Sequence, residues 1–171
     1  MTTVTVFALF ILVFLFFTIL MLASAIRIVP EYQRAVVFRM GRCLGYKGPG
    51  LIILLPIIDL AVMIDLREQT RTLPAQSAIS ADNVRLTVDI SWSYKVIDPA
   101  QSVLAVGNLD EALKNIAAQF WPAQVETQPW QETIQNRPRL RAELLGQLEE
   151  ASRKWGIQVT GVQLGEIQKS G

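Results

Sequence analysis

Two side chains that carry much of enzyme chemistry are scarce in this chain of 171 residues. It contains no histidine, which excludes Ser-His-Asp and Cys-His catalysis and the common zinc sites. Its single cysteine, Cys43, excludes an internal disulfide. The net charge is only +1, so nucleic-acid binding is not expected. No cofactor or metal is expected either, and nothing in the composition indicates an enzyme.

The first part of the chain also lacks charge, proline and glycine. From residue 4 to residue 26, sixteen of the twenty-three side chains are Val, Leu, Ile or Phe. At about 1.5 Å per residue a helix of this length is roughly 34 Å long, enough to cross a hydrocarbon core of about 30 Å. The stretch therefore predicts one membrane-spanning helix, whose anchor residues include Val4, Phe10, Phe14, Phe17 and Ile26.

A cleaved signal peptide and a re-entrant hairpin are the two alternatives for this stretch. A signal peptide needs a basic start and a shorter apolar core, and only its small-residue cleavage site is matched, at residues 23–25. A hairpin needs a break in the middle of the segment, and none occurs before Pro30. A single crossing is therefore favoured.

Positive charge is concentrated directly after the apolar stretch. Residues 27–47 contain five basic side chains and one acidic one, a net +4, whereas the rest of the chain carries 11 minus 14, or −3. Basic residues close to a span tend to remain on the cytoplasmic side, so the domain is expected inside the cell. Single arginines could equally be ordinary turn charges. The residues expected at the membrane surface are Arg27, Arg34, Arg39, Arg42 and Lys47.

Residues 41–50 are rich in glycine and predict a loop. A phosphate-binding loop is rejected, because Lys47 is followed by Gly48 and Pro49 rather than by a hydroxyl residue and a helix. Cys43 lies in this basic, membrane-proximal loop. It is either a small apolar filler or a site of S-palmitoylation.

A second apolar run follows the loop. It is too short to cross a bilayer and is interrupted by a proline. The run is either buried in the domain or in shallow contact with the membrane, and membrane contact is favoured. The residues assigned to this contact are Leu51, Ile52, Ile53, Leu54, Leu55 and Pro56.

Alternation of apolar and polar side chains predicts strands in the next part of the chain. Residues 60–66 place Leu60, Val62 and Ile64 on one face, and residues 84–96 alternate without error. Residues 34–40 predict a short strand, and residues 66–73, Ile79 and residues 84–96 together predict an antiparallel sheet. Asp82 and Asn83 predict a turn before the clearest strand.

The period then changes to that of helices. Asp98 and Asn108 are expected to cap helices over residues 99–106 and from residue 109 onward, with Pro122 stopping or kinking the second. Residues 137–154 predict a third helix, and residues 157–167 a closing strand with a bulge near Gly161. The aromatic residues Phe120, Trp121 and Trp130 are most simply explained by a core, and a partner or membrane surface is the alternative.

Several of these segments together resemble the stomatin/slipin branch of the stomatin-prohibitin-flotillin-HflK/C (SPFH, or band-7) family. The matching motifs run in order over most of residues 26–167. They are VPEYQRAVVFRMGR at residues 29–42, GPGL at 48–51 continuing to Pro56, ID at 58–59, VxIDLR at 62–67, DNV at 82–84, DP at 98–99, Arg137 and WGIxVT at 155–160.

The resemblance implies an α/β (α+β) domain of antiparallel sheet and packed helices, preceded by one N-terminal transmembrane helix. The expected divisions are an anchor at residues 1–28, a β-rich half at 29–98 and a helical half with a closing strand at 99–171. The resemblance implies a scaffold that binds membrane lipids, self-associates and organises lipid microdomains or modulates a channel or membrane protease. Prokaryotic members are often paired with an NfeD-type membrane protein.

Three departures and two rival functions accompany the resemblance. The family's long C-terminal coiled-coil helix is expected to be absent, Trp121-Pro122 replaces a usual Leu-Arg pair, and Pro138 replaces an acidic residue. The first departure motivates a second hypothesis, a shortened regulatory subunit that co-assembles with a longer paralogue. A third hypothesis is a membrane hydrolase with a Ser-Lys pair, although no motif brings such a pair together.

Overall fold

The computed structural model of the protein describes the backbone of residues 2–170 and the side chains of residues 6–169. The chain divides into two compact units between Asp65 and Leu66. This division lies well before the boundary expected after residue 98. The two longest strands belong to the same unit as the four later helices, because they pair with each other and one of them also pairs with the strand that follows the last helix.

The first unit consists of one helix followed by five strands. β1 and β4 form an antiparallel two-stranded ribbon, and β3, β2 and β5 form an antiparallel sheet in that order. A buried cluster joins ribbon and sheet, here called the ribbon core: Val29, Ala35, Val37, Ile52 and Leu54. The elements are α1 (Thr2–Ala25), β1 (Ile26–Val29), β2 (Gln33–Arg39), β3 (Arg42–Lys47), β4 (Gly50–Ile53) and β5 (Asp59–Asp65).

Two expectations for this unit are corrected. Residues 41–50, expected as a loop, contain β3. Gly45, at φ +101°, lies where the pairing of β2 and β3 changes register, so glycine accommodates a bulge that a local pattern does not indicate. Ile26, expected as the end of the membrane helix, is instead the first residue of β1, where it pairs with Ile53 of β4.

β5 forms as the predicted half-buried strand, and each of its faces carries one exposed apolar side chain, Leu60 on one and Met63 on the other. Leu60 is 66% exposed, whereas Ala61 packs against the ribbon core opposite Val37. Both faces of this strand carry apolar side chains, so alternation alone could not distinguish the inner face from the outer one.

The second unit is an antiparallel sheet combined with four helices. Its strands run in the order β6-β7-β8, and β9 pairs with the first residues of β7 on the same side as β8. The elements are β6 (Gln69–Ile79), β7 (Arg85–Val96), α2 (Pro99–Leu104), α3 (Leu109–Val125), α4 (Trp130–Gln135), α5 (Arg137–Lys154), β8 (Ile157–Leu164) and β9 (Gln168–Ser170).

The strongest strand prediction is confirmed by β7. Its apolar side chains are all buried, and the polar ones between them face outward, as period two requires. Asn83 adopts φ +63° in the predicted turn. The pairing of β7 with β8 changes register beside Gly161, which confirms the predicted bulge. The buried side chains are Leu86, Val88, Ile90, Trp92, Tyr94 and Val96.

The predicted helix starts are also confirmed. The Asp98 side chain accepts a hydrogen bond from the N–H of Gln101 at 3.0 Å and caps α2. Asn108 accepts from the N–H of Glu111 at 3.2 Å, and its side-chain amide donates to the Glu111 carboxylate at 3.2 Å, which is the predicted variant of a capping box. α5 begins at Arg137 as predicted and buries Leu140, Leu144 and Leu148, which are four residues apart.

Pro122 does not stop α3, which continues to Val125. A proline inside a helix costs about 3 kcal/mol, and the complete burial of Trp121 and Val125 offsets that cost here. The residues between α3 and α5 include α4, whose six residues are too few to show helical periodicity in the sequence. Phe120 belongs to the core together with Trp121, as expected, whereas Trp130 is half-buried at the start of α4.

Candidate membrane interface

α1 presents apolar side chains in every direction. The segment Val6–Ala25 is long and apolar enough to cross a membrane, and its apolar window is not buried against the rest of the protein. The side chain of the predicted anchor residue Val4 lies outside the described residues. Three others lie within α1 and are 62–70% exposed: Phe10, Phe14 and Phe17.

The polar side chains described within α1 are satisfied by the helix itself. The Thr18 hydroxyl donates to the carbonyl of Phe14 at 2.8 Å, and the Ser24 hydroxyl donates to the carbonyl of Met21 at 2.9 Å. In hydrocarbon, polar groups have no water to bind, so internal partners are required. These two hydroxyls are therefore compatible with a position inside a bilayer.

The end of α1 is joined directly to the ribbon. The carbonyl of Ala25 accepts a hydrogen bond from the N–H of Leu54 at 2.8 Å, and β1 begins at the next residue. Directly opposed residues of two strands share a face. Ile26 opposes Ile53 and Ile28 opposes Leu51, which creates a face of four side chains that are 51–76% exposed. We call it the apolar ribbon face: Ile26, Ile28, Leu51 and Ile53.

The residues predicted to contact the membrane, 51–56, fall into an exposed group and a buried group. Leu51, Ile53 and Leu55 are exposed, and Pro56 is half-buried. Ile52 and Leu54, each 7% exposed, belong to the ribbon core. The expectation of membrane contact is corrected for these two residues, because alternate side chains of β4 point to opposite faces.

Two further apolar side chains project from adjacent turns. Met40 and Ile57 are 85% and 90% exposed and have positive φ angles of 48° and 72°. The N–H of Met40 donates to the carbonyl of Ile58 at 3.3 Å, so the two turns are neighbours. A β-branched residue in left-handed geometry is strained by about 1–3 kcal/mol. We call these two residues the apolar turn tips.

An ion pair holds the turn tips in place. The Arg39 guanidinium donates to both oxygens of Asp59, at 2.7 and 2.9 Å, and the N–H of Leu55 donates to the same carboxylate at 2.9 Å. These bonds, that from Arg39 first, lower the pKa of Asp59 to about 2. Arg39 is thus paired within the protein, and its expected role as a membrane-surface charge stays a prediction.

The other predicted basic residues do not form one patch. Arg34 donates to the carbonyls of Glu31 and Gln33 at 2.9 and 2.7 Å, so it stabilises a turn. It lies five positions from Arg39 along β2, or roughly 17 Å at about 3.4 Å per residue. The other three predicted residues are exposed: Arg27 on β1, and Arg42 and Lys47 on β3. On the neighbouring strand β2, Arg42 lies opposite Arg39 and Lys47 lies opposite Ala35.

Cys43 lies on β3 next to Arg42 and opposite Phe38. It is half-buried, and its sulfur accepts a hydrogen bond from the N–H of Gly45 at 3.4 Å. Both expectations for this residue, filler and palmitoylation, stay open as predictions.

Ile28 and the apolar turn tips were missing from the sequence-based assignment. Ile28 could have been found from its alternation with Ile26, whereas the exposure of Met40 depends on a turn geometry with no local signal. Within the side chains described, no group of three His, Cys, Asp or Glu residues is placed to hold a metal ion. What the first unit does present is apolar surface that continues from a bilayer-length helix.

These features define a class: a membrane-tethered α+β protein with an apolar surface beside its anchor. Comparison with protein-family models identifies the class further, because residues 27–170 match the SPFH domain / Band 7 family. The chain belongs to this family. The resemblance seen in the motifs and the expected fold class are thereby confirmed.

Individual relatives agree with the family assignment. The chain is similar to a stomatin homologue of Pyrococcus horikoshii, 37% identical over 156 residues, which cover 91% of this chain and 59% of that protein. It is 38% identical to stomatin-1 of Caenorhabditis elegans over 160 residues, or 93% of this chain and 48% of the relative. It is 32% identical to stomatin-like protein 1 of Homo sapiens over 140 residues, 82% of this chain and 35% of the relative.

The chain thus spans three fifths or less of the length of these relatives. At the level of the family, it is a membrane-associated stomatin-like protein. The apolar α1 agrees with the membrane location of stomatins.

Proposed function

We propose that this protein is a membrane-anchored scaffold that self-associates and organises lipids or a partner membrane protein around it. The observation that carries the proposal is the direct junction between α1 and the apolar ribbon face, made by the hydrogen bond from Leu54 to Ala25. Because no linker separates the two, insertion of α1 brings the ribbon to the membrane surface.

The exposed area of the apolar ribbon face supports shallow membrane contact. Removing an aliphatic side chain completely from water is worth about 1.5–3 kcal/mol. The four side chains are on average about two thirds exposed, so their transfer into the interface is worth roughly 4–8 kcal/mol. The apolar turn tips add to this gain, and their strained backbones are understandable if lipid covers Met40 and Ile57.

Charge supports the proposed orientation. Arg27 and Arg42 are exposed in the first unit, and each basic residue near an anionic surface contributes about 1 kcal/mol. Positive charge close to a span favours the cytoplasmic side, so the SPFH domain faces the cytoplasm and the N-terminus faces outward. Palmitoylation of Cys43, next to Arg42, would add a second membrane attachment.

Family membership supports self-association and a partner membrane protein, of which an NfeD-type protein or a membrane protease are the proposed kinds. Deleting residues 1–26 is expected to release the protein from membranes into the soluble fraction. The full chain, solubilised in mild detergent, is expected to give particles well above the monomer mass of 19.1 kDa by mass photometry. A monodisperse monomer that never co-purifies with another membrane protein contradicts the scaffold function.

Orientation is tested separately with Thr2→Cys in a Cys43→Ser background. A membrane-impermeant maleimide added to intact cells is expected to label position 2. Cys43→Ser alone is the matched control and should remain unlabelled. Labelling of position 2 only after lysis would place the N-terminus inside and reverse the proposed orientation.

A further inference from the structure

A groove lies in the second unit. It runs between α5 and the end of β8 and has a volume of about 670 Å³. Sites that bind small ligands or short segments usually have 300–1,000 Å³. The side chains that line it are Arg137, Pro138, Arg141, Ala142, Leu145, Gln163 and Leu164.

One wall of the groove is the outer edge of a sheet. β8 is the last strand in the order β6-β7-β8, and among the described strands none pairs with its far side. The N–H of Gly165 donates to the carbonyl of Asp89 at 2.7 Å, so these residues form a hydrogen-bonded pair. Hydrogen-bonded and non-bonded pairs alternate in antiparallel sheet. The main-chain N–H and carbonyl of Leu164, opposite Ile90, therefore face the groove.

The opposite wall of the groove is α5, and one of its side chains reaches across to β8. The Arg137 guanidinium donates a hydrogen bond to the outward carbonyl of Leu164, so α5 is fixed alongside the strand edge. A sheet edge that faces a helix across a groove is the arrangement that binds extended peptides as an added strand, because main-chain groups supply affinity and the helix supplies side-chain contacts.

The lining selects the charge of the occupant. Its two charged side chains are both arginines, Arg137 and Arg141, one helical turn apart and exposed. The remaining helical lining, at Pro138, Ala142 and Leu145, is apolar. Complementarity therefore favours a segment with both carboxylates and aliphatic side chains, since arginine binds carboxylate through paired hydrogen bonds.

We propose that this groove binds an extended acidic segment of a partner protein, added as a strand to the outer edge of β8 with a carboxylate on Arg141. The proposal rests on the scaffold function and deepens it by naming the kind of segment that is held. Alternating aliphatic and acidic residues match the period of a strand, in which one face contacts the groove and the other faces water.

The test uses the full chain in non-ionic detergent and a fluorescein-labelled synthetic peptide of alternating valine and glutamate, blocked at both ends. Fluorescence anisotropy is expected to show saturable binding, about tenfold weaker in Arg141→Glu. Arg139→Glu is the matched control, because Arg139 lies on the same helix but pairs with Glu143 at 2.9 Å outside the groove. N-methylation of the peptide residues whose N–H groups face β8 should weaken binding about fivefold per lost hydrogen bond. N-methylation of the alternate residues, whose N–H groups face away from β8, should leave binding unchanged.

Several results would overturn the proposal. They are equal binding by both charge variants, equal binding of a valine–lysine peptide, or no effect of N-methylation in either set. A fall in particle mass in Arg141→Glu would assign the groove to contacts between copies of this chain. Displacement of the peptide by phosphatidylglycerol vesicles but not by phosphatidylcholine vesicles would assign it to lipid. Membrane association measured on the same variants keeps a failure of the groove distinct from a failure of the scaffold function.

Discussion

Two neighbouring residues of β4 allow the fold and the membrane contact to be perturbed independently. Ile52 is 7% exposed in the ribbon core, and Ile53 is 65% exposed on the apolar ribbon face. Ile52→Ala should cost about 2–5 kcal/mol, because it leaves a cavity. About a third of the Ile53 side chain is covered, so Ile53→Ala should cost about 0.5–1 kcal/mol. A difference of about 2 kcal/mol corresponds to roughly a 30-fold change in the equilibrium for local opening.

Native-state hydrogen exchange in detergent measures this difference at the amides of β2, which pack on the ribbon core. Ile52→Ala should reduce their protection by one to two orders of magnitude more than Ile53→Ala does. Intrinsic fluorescence is unsuitable, because all four tryptophans belong to the second unit: Trp92, Trp121, Trp130 and Trp155.

The membrane half of the prediction concerns Ile53 alone. In a Cys43→Ser background, Ile53→Cys should react with a water-soluble maleimide much more slowly in liposomes than in detergent, because lipid covers the ribbon face. Ile97→Cys, at a 60% exposed position of the second unit, is the control and should react at similar rates in both. Equal loss of protection in the two alanine variants, or unchanged reactivity at position 53, would refute the reasoning.

Two further predictions concern stability. Gly156 has φ +65°, and a Cβ there would lie 2.8 Å from the carbonyl oxygen of Asp98. Gly156→Ala should therefore cost about 1–3 kcal/mol and lower Tm by roughly 5–15 °C in a thermal scan. The control Gly146→Ala, in open space inside α5, should raise Tm slightly, and a fall in Tm for both variants would contradict the steric explanation. The Arg39 ion pair lowers the pKa of Asp59 from 3.8 to about 2, so its contribution to stability is complete above pH 4 and is lost as pH falls toward 2. Exchange protection of β2, corrected for intrinsic rates, should fall across that window, and an equal fall in Asp59→Asn would show that another group is responsible.

Much of the second unit was predictable from the sequence because each prediction depended on short-range patterns. β7 has one polar and one apolar face, so period two identified both the strand and its buried side. The capping-box variant at Asn108 and Glu111 involves side chains three residues apart, which places the helix start directly. α1 was predictable from composition, since continuous apolar character is itself the requirement for crossing a bilayer.

The candidate interface depends instead on contacts that no local pattern contains. β4 is apolar on both faces, so only the packing of one face against Ala35 and Val37 of β2 decides that Ile52 is buried and Ile53 exposed. Arg39 and Asp59 are 20 residues apart, and their ion pair becomes visible only once β2 and β5 are adjacent.

By itself, then, the sequence determined that the protein has a membrane-length apolar helix, a family-specific α+β domain and no histidine chemistry, because composition, periodicity and motifs are properties of neighbouring residues. The tertiary structure alone decided which apolar and basic side chains of the first unit remain available to the membrane. The physical reason is that exposure is set by what packs on the other side of a strand. In β4 and β5, that neighbour comes from a distant part of the chain.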